Sequence, residues 1–161
     1  MSIILTYKSY MSSNNKVNMI DLNRQAELRE AIELFFFAYR AFTAPPDRIL
    51  AERGLGRVHH RILYFVGRQP GTTVTELLGT LGVTKQALNA PLRQLVETGL
   101  IDTTADASDK RVKRLTLSAA GVSLEAELSG TQLAMLEKLF DQEGREAECA
   151  WKRLMGGLLK A

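Results

Sequence analysis

The chain has 161 residues, 45% apolar and 24% charged, the size and composition of one globular domain and not of a collagen-like repeat, a disulfide scaffold or a disordered chain. The net charge of +3 says little by itself. Its distribution says more: residues 1–56 carry seven cations and six anions, 57–114 nine and five, and 115–161 five and seven, so positive charge gathers in the middle, where a polyanion would be met.

Residues 1–20 read as an N-terminal extension, polar and aperiodic from Ser12 to Asn18, with Met11 and Met19 as alternative starts. Its apolar patch is only Ile3, Ile4 and Leu5, with no small-residue cleavage site, so a signal peptide is not expected. No apolar run approaches the roughly 18 residues that span a bilayer. A cytoplasmic protein is expected. From Asp21, Leu28, Ile32, Phe35, Phe36, Tyr39 and Phe42 recur at steps of three and four and predict a helix. Pro45-Pro46 should end it. Leu34 and Phe37 widen its apolar face, which predicts burial on two sides, the second against another subunit.

Asp47 to Arg53 predicts a short helix closed by Gly54-Leu55-Gly56. A further helix is expected from about Arg57 to Gln69, with Val58, Ile62, Phe65 and Val66 inward, before the Pro70-Gly71 turn. Thr73-Val74-Thr75-Glu76 has the form of a capping box, opening a two-turn helix with Val74, Leu77, Leu78 and Leu81 on its apolar face. Gly82 permits a tight turn, Val83 plugs the interior, and Thr84 caps a second helix from Lys85 to about Thr98. There Leu88, Leu92, Leu95 and Val96 point inward, and Lys85, Gln86, Asn89 and Arg93 share the opposite side.

A short capped helix, a glycine turn and a helix with a Lys/Gln/Asn/Arg front form a helix-turn-helix pattern. The four front residues suit base edges and phosphates. Leu100 to Thr104 and Val112 to Leu117 read as two short strands, and the hairpin carries Lys110, Arg111, Lys113 and Arg114 within five residues. Ser118 caps a helix to about Gln142, Gly144 interrupts it, and a last helix presents Trp151, Leu154, Met155 and Leu158 as one stripe. The single cysteine, Cys149, allows no internal disulfide and suits a reducing compartment. Glu146 and Glu148 offset the nearby cations Lys152 and Arg153, so a structural or merely exposed thiol is expected.

The helix pair from Thr73 to Thr98, the exit Glu97-Thr98-Gly99-Leu100-Ile101, the wing motif Asp109-Lys110-Arg111 and the run Leu117-Ser118-Ala119-Ala120-Gly121 together resemble the MarR family of winged helix-turn-helix transcriptional regulators. The resemblance covers roughly Asp21 to Leu159. It implies a mainly α fold with a small β-hairpin wing: an N-terminal dimerisation helix and short helix over 21–56, a DNA-binding domain over 57–117, and C-terminal dimerisation helices over 118–161. It also implies a homodimer on a palindromic operator in double-stranded DNA, with the second helix of the pair in the major groove and the wing near the minor groove.

With Thr84 at its start, that helix offers Gln86 and Asn89 to adenine, and Lys85 or Arg93 to guanine or phosphate. Lys110, Arg111 and Lys113 are the wing's DNA contacts, Arg111 entering the minor groove, while Asp109 stabilises the wing by a salt bridge to Arg111. The resemblance further implies a cleft for small aromatic or anionic effectors that release DNA. Phe36, Tyr39, His59 and His60 are its candidate lining, against the plainer reading of the histidines as ordinary helix residues and the aromatics as core or dimer interface.

Three departures stand out. Pro91 lies inside the second helix, where it should kink the helix or set Arg93 at a different angle. Thr103 stands where relatives commonly carry arginine, and the middle of the wing motif is lysine, which lacks arginine's bidentate geometry. No metal or cofactor is expected, since adjacent histidines point about 100° apart on a helix and cannot chelate one ion. An enzyme is disfavoured, with no phosphate loop or nucleophile elbow. The alternative is a winged-helix module that uses the same helix face to bind protein.

Overall fold

The computed structural model describes residues 19–160. Residues 1–18 of the expected extension lie outside them, and its last two residues, Met19 and Ile20, already belong to the first helix. The fold comprises two compact units, divided between Ala41 and Phe42.

Helix α1 (Met19–Ala51) supplies the described part of the first unit. From Asp21 to Ala41 every residue is exposed, among them Leu28, Ile32, Leu34, Phe35, Phe36 and Phe37. Phe36 and Phe37 meet edge to face at 5.3 Å, and the Arg40 guanidinium lies 5.8 Å from the Phe36 ring centre. The broad apolar face read from the sequence is present, and a single chain buries neither side of it.

The expected stop at Pro45-Pro46 is overturned: α1 continues through both prolines to Ala51 and absorbs most of the predicted short helix. Proline at 46 leaves the carbonyl of Phe42 without its helical donor. Gln132 Nε2 donates to that oxygen at 3.3 Å. Pro46 is fully buried, so packing and a substitute donor offset what the prolines remove. The true stop is Gly54, in the left-handed conformation with φ 63°, where the N–H groups of Gly54 and Leu55 close on the carbonyls of Ala51 and Leu50 at 3.1 and 2.9 Å.

The second unit continues with α2 (Arg57–Arg68), strand β1 (Thr72–Thr73), α3 (Val74–Leu81), α4 (Lys85–Glu97), strands β2 (Ile101–Ala105) and β3 (Lys113–Leu117), and α5 (Ala119–Leu158). Three strands form the sheet in the order β1-β3-β2, all antiparallel, where the sequence predicted two. Thr72 pairs with Leu115 and Thr73 with Arg114. A two-residue strand carries no alternation to read, and Thr73 also caps α3. The core joins Leu50, Ile62, Leu63, Val66, Leu77, Leu88, Leu95, Ile101, Leu115, Leu124 and Leu128, of which Ile62, Val66, Leu77, Leu88 and Leu95 lie on the periodic faces read from the sequence. Burying each such side chain contributes roughly 1.5–3 kcal/mol.

The Leu-Ser-x-x-Gly run locks α5 onto the end of α4. Ser118 Oγ donates to the carbonyl of Gly99 at 2.6 Å and accepts the N–H of Gly121 at 3.0 Å. A side chain at Gly121 would place its Cβ 2.0 Å from the carbonyl oxygen of Leu100. Further along, α5 breaks at Gly144, with φ 84° and ψ 171°, as its glycine predicted. Phe140 and Trp151 then meet edge to face at 5.8 Å. Eleven residues of straight helix would separate them by about 16 Å, so the segment after Gly144 turns back on the one before it.

Candidate nucleic-acid interface

The α3–turn–α4 pair is built as its sequence predicts. Thr73 Oγ1 accepts the N–H of Glu76 at 3.2 Å, and Glu76 Oε2 accepts the N–H of Thr73 at 2.7 Å. The Thr73 backbone N–H, with the Thr73 hydroxyl behind it, holds the Glu76 carboxyl below its ordinary pKa. Gly82 adopts φ 62° and bonds back to Leu78. Thr84 Oγ1 accepts the N–H of Ala87 at 3.2 Å and starts α4. Leu88 and Leu95 are buried beneath it, while Lys85, Gln86, Asn89 and Arg93 are exposed. At steps of three and four these share one face. Arg93 reaches Glu97 at 3.7 Å, with both side chains about 70% exposed, a pair too weak to compete with a phosphate.

Pro91 does not end α4, which runs from Lys85 to Glu97 through it. The carbonyl that loses its donor belongs to Ala87, an exposed residue, so water can satisfy it. All four outward side chains therefore lie on one continuous helix.

The wing departs from expectation at its centre. Asp109 makes no salt bridge to Arg111; its Oδ1 accepts the backbone N–H of Arg111 at 2.9 Å. The carboxylate that organises the loop is Asp106, only 8% exposed. It accepts from Ser108 Oγ at 2.5 Å, from the N–H groups of Ser108 and Asp109 at 2.8 and 3.2 Å, and from Arg114 Nε. Ser108, through its hydroxyl and then its N–H, is the main cause holding the Asp106 carboxyl far below the ordinary carboxylate range, with Arg114 next. Arg114 also donates to the carbonyl of Gly71 at 2.9 Å, tying the wing to the residue before β1.

Arg114 is thus committed to the fold. Lys110, Arg111 and Lys113 are exposed, and among the described residues none of them, nor Lys85, pairs with a carboxylate. The Asp106-Ala107-Ser108 spacing is the signal that could have found this lock, since an aspartate bonding the N–H two residues on is a common turn device.

The histidines part company. His59 Nδ1 accepts the N–H of Gly56 at 2.9 Å, and its Nε2 faces Gln94 Oε1 at 2.9 Å, so both ring nitrogens are engaged within the fold. His60 Nε2 lies 3.4 Å from Ser129 Oγ, which donates to Glu125 Oε1 at 2.6 Å. Burial lowers the His60 pKa, outweighing the opposing influence of Glu125 and Asp47. Phe36 and Tyr39 lie in the first unit. Cys149 is exposed, and Lys152 is paired with Glu148. Among the described residues no three His, Cys, Asp or Glu side chains group to hold a metal ion, and no helix is long and apolar enough to cross a membrane.

The family model described as MarR family matches residues 53–112, from the end of α1 through the wing loop. The HTH-type transcriptional regulator PetP of Rhodobacter capsulatus is 43% identical over 133 residues, 83% of this chain and 80% of that protein. This chain belongs to the MarR family. Solved MarR-family structures share its fold. FabT of Streptococcus pneumoniae, crystallised in complex with DNA, matches with a TM-score of 0.74 at 18% identity, over 83% of this chain and 95% of that one. A point mutant of MepR from S. aureus, bound to an oligodeoxyribonucleotide, matches at 0.57 and 22%, over 81% and 96%. As a MarR-family protein the chain is a helix-turn-helix transcriptional regulator with a winged-helix fold.

Proposed function

We propose that this regulator binds a palindromic operator as a homodimer in the cytoplasm, represses from it, and is released by a small aromatic or anionic effector. The observation that carries the DNA part is the conjunction, in one unit, of the outward face of α4 (Lys85, Gln86, Asn89, Arg93) with three wing cations that no carboxylate occupies (Lys110, Arg111, Lys113). Unpaired exposed cations are what a phosphate backbone neutralises, and the amides Gln86 and Asn89 match adenine's paired donor and acceptor. Thr84 stands at the helix start, where an N–H-rich terminus favours phosphate. FabT and MepR are both known on DNA, which favours this reading over a protein-binding module.

The dimer part is supported by α1, whose apolar residues from Leu22 to Phe37 are exposed, and by Leu154 and Leu158 of α5. Two-fold symmetry predicts half-sites about 10 base pairs apart. Selection from a random duplex pool tests the proposal, and recovery of no preferred sequence refutes it. With the selected site in hand, Arg111→Ala, which removes one contact from each protomer, is expected to weaken binding and to reduce the slope of log affinity against log salt by about two units, measured by fluorescence anisotropy. Effector release is tested by a thermal-shift ligand screen followed by loss of operator binding.

A further inference from the structure

Three elements of the fold meet at one glutamine. Gln94 follows Arg93 on α4 but lies half-buried, turned away from the outward face. Its Nε2 donates to the carbonyl of Gly54 at 3.3 Å, at the left-handed residue that terminates α1. Its Oε1 lies 2.9 Å from Nε2 of His59, in the first turn of α2. The other ring nitrogen settles the direction of that bond. His59 Nδ1 accepts the N–H of Gly56, so the ring carries its proton on Nε2 and donates it to Gln94. Gly54 thus needs a donor and His59 an acceptor, and an amide supplies both. Thr98 Oγ1 secures the same turn of α4 by donating to the Gln94 carbonyl at 2.8 Å.

We infer that Gln94 is a positioning residue for DNA recognition: by bridging Gly54 and His59 it sets the angle at which α4 presents Lys85, Gln86, Asn89 and Arg93, and ties that angle to the corner where α1 passes into α2. The inference rests on the DNA-binding reading above. Apolar packing behind Leu88 and Leu95 holds α4 close to the core, but such packing is non-directional. Two hydrogen bonds of fixed geometry from one side chain add the direction. Gln94 itself touches no DNA in this arrangement. A displacement of the α1–α2 corner reaches the reading face through it.

The test uses the full-length protein and its selected duplex. Gln94→Met keeps length and removes both polar atoms. His59→Gln keeps a side chain able to cap Gly56 from the third position of α2 but withdraws the ring from Gln94. Each variant is expected to bind the operator about threefold to tenfold more weakly, the range of one or two neutral hydrogen bonds. The salt slope should stay unchanged because no phosphate contact is lost, and thermal unfolding should remain a single transition. The double variant is expected to lose no more than the weaker-binding single variant.

Unchanged affinity in all three variants overturns the inference. So do losses that multiply, or a shallower salt slope for Gln94→Met, which would make Gln94 an independent or direct DNA contact. A second measurement needs no DNA: nitrogen-15 NMR of the His59 ring should find the proton on Nε2, slowly exchanging in the wild type and fast in Gln94→Met. A proton on Nδ1, or exchange that does not respond to Gln94→Met, also overturns it. If the wild type selects no duplex, the DNA-binding reading fails and the inference with it, while the ring measurement still shows whether the bridge exists.

Discussion

Gly121 has no room for a side chain, because the carbonyl of Leu100 occupies the space where a Cβ would stand. Gly121→Ala is expected to destabilise the protein by about 3 kcal/mol, the upper end of overpacking costs, since the obstacle is backbone that cannot turn aside; urea denaturation measures it. Asp106 governs the wing in a different way. Its carboxyl is held far below the ordinary range by Ser108 and Arg114, so it stabilises the fold above its unfolded pKa of about 3.9 and loses that contribution as pH falls from there toward its folded value. The stability difference between wild type and Asp106→Asn should therefore be constant from pH 7 to about 5 and shrink below about 4. His60 has a folded pKa lowered by burial. The unfolded chain then takes up a proton first, and stability falls as pH drops through about 6.5. His60→Gln should flatten that part of the pH profile, measured by thermal unfolding between pH 7.5 and 5.

At the scale of elements, α4 carries a proline that its neighbours tolerate. Pro91→Ala restores an N–H to the Ala87 carbonyl and should raise stability by about 2 kcal/mol: the roughly 3 kcal/mol cost of an interior proline, less what proline gains by restricting the unfolded chain. Urea denaturation measures this too, and a loss of stability would mean that the ring's packing outweighs the missing bond. The periodic faces of α2, α3 and α4 were legible because buried leucines such as Leu77, Leu88 and Leu95 recur at helical spacing. The course of α1 through Pro45 and Pro46 was not. Its rescue depends on Gln132, some 90 residues away, and no local rule contains that partner. The wing lock was half legible: Asp106 and Ser108 have a turn's spacing, but pairing Asp106 with Arg114 and Arg114 with Gly71 needs the hairpin closed and β1 laid beside β3.

For the whole molecule, the exposed apolar face of α1 carries the proposed dimer. Ile32 and Phe35 are 69% and 55% exposed, and large exposed apolar patches mark interaction surfaces. On the proposed dimer, Ile32→Glu combined with Phe35→Glu should shift the protein to monomer in sedimentation velocity and abolish operator binding, since one protomer would reach only one half-site. The helix-turn-helix pair, the wing and the cationic middle of the chain were all legible in the order of the residues. Caps, turns and periodicity act within a few residues, and charge is counted wherever it stands. Which cations remain available was settled by folding. Arg114 has the same charge as Arg111, but folding places it against a buried carboxylate and leaves Arg111 in water. It also decided that His59 and Gln94, 35 residues apart, meet at the corner where α1 ends, because side-chain hydrogen bonds depend on proximity in space and not along the chain.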